Sequence, residues 1–210
     1  MSTNIVRDNN NMPELTAIIE ELNHTEIQIG VFGKDDSHIL MVANVNEFGA
    51  TIKPRRARRL AVPLTKEARG KSPRQFNNLF PISIPSSTSG ENLLYLARNK
   101  GKNRIQFMYL LAKEVTIPER AFIRGTFDEN QNLFANQAVR LLQRVILRQM
   151  TLDDFFDFMG QFMVDRVKEY MTSLRTPANS FATKGAKGSS NPLINTGRLR
   201  ESITYRVVKR

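Results

Sequence analysis

From residue 151 to residue 174 the apolar side chains recur at helical spacing. Phe155, Met159, Phe162, Met163, Val167, Tyr170, Met171 and Leu174 form a broad stripe along one side of an expected helix. A stripe this long and aromatic must be removed from water, so the fold has to supply a second apolar surface against it. It reads as core, not as a ligand box. Thr151 and Asp154 have the spacing of a capping box at its start, and Asp153, Asp154 and Asp157 favour the positive end of the helix dipole.

Further helices are expected on the same grounds. Thr126 and Glu129 have capping-box spacing ahead of an apolar face of Phe134, Ala138, Leu141, Leu142 and Val145. Leu15, Ile18, Ile19 and Leu22 follow Pro13 as a short amphipathic helix, and Pro13 suits a first helical position. Ile39, Val42 and Ala43 would face inward from a helix over 37–46, entered from Gly33, Asp35 and Asp36. Strands are expected over 26–33, 51–54, 93–96 and 105–111, the second following Gly49 at a positive φ, and 60–64 is apolar around Pro63. At the other end Thr196 can cap a short turn, after which Ile203, Tyr205 and Val207 alternate as a strand does. These elements predict an α+β fold: mostly antiparallel sheet with long amphipathic helices packed on it.

Residues 1–12 are polar and asparagine-rich and are expected to be disordered. Residues 13–210 read as one domain, which 40% apolar residues can furnish with a core. Within it, 60–116 is expected to form a β-rich insertion or arm, because its loops are long for a compact core. The alternative, that these strands extend the main sheet, stays open. The stretch 175–191, rich in Gly, Ser and Lys, is expected to be a flexible loop.

A net charge of +11 points to polyanionic neighbours, nucleic acid first; an excess that only keeps the protein soluble, or that an acidic partner subunit neutralises, explains it equally well. The densest cationic run is Arg55, Arg56, Arg58 and Arg59, joined as a candidate DNA or partner contact by Lys184 and Lys187. A solvated hairpin tip explains the arginines equally well, and a plain linker explains the lysines better unless the protein assembles. The absence of cysteine excludes disulfides, thiolate nucleophiles and cysteine-held metals. No apolar run approaches the length of a membrane helix, and the amino-terminal residues lack a signal peptide's apolar segment, so a cytoplasmic site of synthesis is expected. His24 and His38 fit no short metal-ligand spacing, and there is no phosphate-cradling glycine loop or nucleophile elbow. No catalytic, cofactor-binding or metal-binding residue is assigned, and the chain is not expected to be an enzyme. A nuclease using a metal at Asp153, Asp154 and Asp157 is a third-ranked reading, since no further carboxylates are placed to complete an oxygen shell.

The order of the segments carries one more signal. Residues 29–33 (Ile-Gly-Val-Phe-Gly), Asn46-Glu47-Phe48-Gly49, 117–124 (Ile-Pro-Glu-Arg-Ala-Phe-Ile-Arg), 192–199 (Pro-Leu-Ile-Asn-Thr-Gly-Arg-Leu) and 202–207 (Ser-Ile-Thr-Tyr-Arg-Val) occur in that sequence. In this the chain resembles the virion-morphogenesis family of long-tailed bacteriophages, the Mu-type tail-completion or neck proteins at the junction of head and tail. The segments 60–64, 70–74 and 110–116 look like a version of the family with a β-rich insertion. The resemblance implies a non-enzymatic structural subunit of the virion, assembled as a head-to-tail ring of six copies around the DNA channel. Its neighbours would be head-completion and tail-tube or tail-terminator proteins, with passing contact to double-stranded DNA and none to a membrane. The alternative function is a basic nucleic-acid-binding regulator that uses Arg55–Arg59 and Lys184–Lys187.

Overall fold

The computed structural model describes residues 12–33, 37–86, 90, 92–101, 104–180, 183, 185, 191–193 and 196–210. In chain order the elements are α1 (Met12–His24), β1 (Thr25–Val31), α2 (Ser37–Phe48), β2 (Ala50–Ile52), β3 (Leu60–Pro63), β4 (Phe80–Pro85), β5 (Asn92–Asn99), β6 (Ile105–Ala112) and β7 (Val115–Ile117). There follow α3 (Phe122–Ile146), α4 (Leu152–Ser173), α5 (Arg198–Glu201) and β8 (Ile203–Lys209). Every strand pairing among the described residues is antiparallel, in three sheets ordered β1-β8, β2-β7 and β3-β6-β5-β4. The class is the α+β expected from the periodicities.

The body forms where the β1–β8 ribbon lies on α4. Val31 pairs with Ile203 and Ile29 with Tyr205, so alternate side chains of both strands meet the helix. One core cluster joins Ile39 and Ala43 of α2, Phe122 of α3, Val164, Val167 and Met171 of α4, and Leu193, Leu199 and Ile203. A second joins Leu141 and Val145 of α3 to Phe155, Phe156 and Met159 of α4, with Ile18, Leu22 and Ile27 packed against it. The capping box at Thr151 and Asp154 is present. Phe156, Gly160 and Val164 are buried on α4 in addition to members of the expected stripe, so its inner face is wider than the spacing indicated. Val207 is 37% exposed, because its ribbon partner Ile27 takes the inner contact; Ile203 and Tyr205 anchor the strand.

Three expectations are corrected. Met12, grouped with a disordered terminus, begins α1; residues 1–11 lie outside the described ones. Thr126 does not start a helix: α3 begins at Phe122, and the buried Thr126 hydroxyl donates to the Phe122 carbonyl at 2.6 Å. Its amino-terminal amides are satisfied from another helix, which no local pattern reveals. β4 lies in a stretch of the expected β-rich insertion to which no strand was assigned, and it carries Pro81 and Pro85 because it is an edge strand, where missing donors are tolerated.

Residues 52 and 115 are brought side by side by the β2–β7 pairing, and the chain between them builds the four-stranded sheet. These strands do not extend the β1–β8 ribbon. One face of this sheet is covered by residues 65–79, burying Ala68, Met108 and Tyr109 with Phe76, Leu79 and Leu96. A bulge between Leu96 and Ala97 lets Met108 and Tyr109 both turn inward, and the Tyr109 hydroxyl donates to the carbonyls of Ala68 (3.2 Å) and Lys71 (2.9 Å).

Candidate functional site

Two regions differ in kind: a buried polar junction that holds the body together, and a cationic, apolar surface on the four-stranded sheet. At the junction Glu47, 5% exposed, presents its carboxylate to the start of α3. It accepts from the amides of Ile123 and Arg124, each at 3.0 Å. A carboxylate suits this place because the first amides of a helix lack internal acceptors and carry the positive end of its dipole. The Arg124 guanidinium returns to Glu47 (3.2 Å to Oε1, 2.6 Å to its carbonyl), bonds Glu119 at 2.9 Å and stands 4.8 Å from the centre of the Phe48 ring.

Gly49 adopts φ +70°, and a Cβ there would come within 3.0 Å of the Glu119 amide nitrogen. The Arg120 amide donates to the Asn46 carbonyl at 2.7 Å. The Arg120 side chain, 6% exposed, donates to the carbonyls of Pro177 (2.9 Å) and Ala178 (3.3 Å), and burial lowers its pKa from the ordinary arginine value. Thus the start of the 175–191 stretch is held by a buried cation. The sequence did not single out Glu47 or Arg120 for these roles; the only signal was their membership of the ordered segments.

The expected contact residues divide differently. Arg55, Arg56 and Arg58 are exposed and form no ion pair among the described residues. Arg59 is half-buried, and its Nη1 donates to the Leu111 carbonyl at 3.4 Å, so it ties the run to β6. Lys184 and Lys187 lie outside the described residues. Beside the run, an open trough of about 510 Å³ is lined by Val62, Ile84, Tyr95, Phe107 and Leu110 on the sheet and reaches Ser180. Lys53 pairs with Glu114 at 3.5 Å, the latter lining the trough. Sequence reasoning missed this surface, although the near-continuous apolar runs of β5 and β6 are its signal.

Two of the acidic residues at the start of α4 have structural tasks. Asp154 completes the Thr151 cap, accepting from its hydroxyl at 2.7 Å. Asp157 accepts from the Tyr205 hydroxyl at 3.1 Å, and burial followed by this bond raises the Tyr205 pKa. Among the described residues no group of three or more histidines and carboxylates is placed to share a metal ion. His24 ends α1 and its carbonyl accepts from the Arg210 amide, while His38 is exposed in the first turn of α2. No helix among the described residues is long and apolar enough to cross a membrane. Compared with protein-family models, curated proteins and solved structures, the chain matches none.

Proposed function

We propose that the chain is a structural subunit of a tailed-phage virion, a neck, tail-completion or head-tail joining protein that forms a ring around the DNA channel. The observation that carries this reading is the convergence of the ordered segments. Asn46, Glu47 and Gly49 meet 117–124 through backbone and carboxylate bonds, and Leu193, Leu199 and Ile203 close the same core over Phe122. That segments occurring in this order build one framework supports reading them together as one signature. A net charge of +11 suits a wall facing a polyanion, and exposed arginines in the chain entering a sheet with one apolar face left open by the described residues suit a surface that acquires a neighbour on assembly.

Native mass and electron microscopy of the purified protein, with images of virions made without it, test the proposal. A closed ring and a defective head-tail joint are expected. A monomer at all concentrations together with a normal joint overturns it. If the monomer also binds short duplex DNA with a steep salt dependence that requires Arg55, Arg56 and Arg58, the regulatory reading replaces it.

A further inference from the structure

The four-stranded sheet is apolar on both faces, and the described residues cover only one. β5 and β6 contain the runs Leu93-Leu94-Tyr95-Leu96-Ala97 and Phe107-Met108-Tyr109-Leu110-Leu111-Ala112, a pattern of strands buried from both sides. Residues 65–79 enclose the Leu96, Met108 and Tyr109 side. On the other side Val62, Leu110 and Tyr95 stand in register across three strands, and the Tyr95 and Phe107 rings lie 5.0 Å apart. Ile84, Leu93 and Phe107 there remain 36–37% exposed. The chain entering β3 carries the exposed Arg55, Arg56 and Arg58, while the charged residue that lines the trough is Glu114, paired with Lys53.

The first turns of α4 have the complementary character. Phe158 is 58% exposed, Asp154 stands one helical turn before it, and Asp153 and Asp157 share the adjacent strip of the solvent side. We infer that the open sheet face docks the start of α4 of a second copy of this chain. Phe158 enters the trough while Asp153, Asp154 and Asp157 face Arg55, Arg56 and Arg58. This inference rests on the ring reading and names the contact that would close the ring. The two surfaces are different patches of one chain, so the contact is head-to-tail and each copy offers both halves. Burial of the aromatic supplies attraction, and the opposed charges select the orientation.

Charge reversal in two separate variants tests it: Arg55→Glu with Arg56→Glu and Arg58→Glu, and Asp153→Lys with Asp157→Lys. All five residues are exposed, and circular dichroism with a thermal melt checks that each variant folds. Analytical ultracentrifugation should show each variant alone assembling at least about tenfold more weakly than the parent. An equimolar mixture should recover assembly, because each reversed patch then meets an opposite one. Phe158→Ser should weaken assembly without any change of charge. Single variants that assemble like the parent, or a mixture that does not recover, overturn the inference while leaving the ring standing. A parent that never assembles overturns the ring reading and the inference with it. Radical footprinting in which Phe107 is protected in virions but not in the purified ring would assign this face to another subunit and overturn the inference as well.

Discussion

The ring of Tyr205 lies directly on Gly160: a Cβ built at residue 160 would sit 2.3 Å from Tyr205 Cδ2 and 2.6 Å from its Cγ. Gly160 is therefore the place where α4 lets β8 come close, and the contact fixes the ribbon on the helix. Gly160→Ala should destabilise the protein although alanine is the better helix former. The helical gain is about 1 kcal/mol, whereas overpacking against an aromatic ring held in a strand costs up to about 3 kcal/mol. A net loss of about 1–2 kcal/mol is expected, read as a fall of roughly 2–8 °C in Tm; an unchanged or higher Tm would contradict the contact.

Glu47 should prove more important than an ordinary cap because its carboxylate serves two amides of α3 and a guanidinium. Glu47→Ala leaves those two amides with no acceptor and takes from Arg124 one of its three, and it should cost about 2–4 kcal/mol in urea unfolding. Glu47→Gln keeps one oxygen and should lose less. Equal losses for the two variants would mean that packing, not capping, is what Glu47 supplies.

Arg120 tethers residues 177–178 from inside the body. A lysine has a compact ammonium in place of the planar fork whose Nε and Nη2 reach the two carbonyls separately, so Arg120→Lys should hold them less firmly. Limited trypsin digestion should then cut within 175–191 several-fold faster than in the parent, with little change at other sites. An unaltered rate there would show that the tether does not control this stretch.

The Arg98 guanidinium bonds both carboxylate oxygens of Glu67 and also Gln106, and it holds the Glu67 pKa below its ordinary value of 4.5. A depressed carboxylate pKa contributes stability that is present above 4.5 and lost as the pH falls through the folded-state value. Hydrogen exchange of the β5 and β6 amides should therefore be slower in the parent than in Glu67→Gln at neutral pH. The two should converge in acid. A difference that persists below the carboxylate range would contradict the assignment. The effect should be modest because Glu67 is half exposed and solvent screens the pair.

What the sequence alone determined was whatever depends on near neighbours. The α4 stripe, the Thr151–Asp154 box, the turn at Gly49 and the alternation from Ile203 to Tyr205 all follow from periods of a few residues, which local chain geometry imposes. The antiparallel α+β class follows from them in turn. Tertiary structure decided matters in which distant residues compete for the same donors or the same apolar surface. Thr126 lost its expected capping role because Glu47, far away in the chain, reaches the α3 amides first. β4 is a strand despite its prolines because it stands at an edge, a position no local pattern states. Among the described residues, tertiary structure likewise covered only one apolar face of the four-stranded sheet: the near-continuous apolar runs of β5 and β6 identify two faces to bury, while the choice of cover belongs to the three-dimensional placement of residues 65–79.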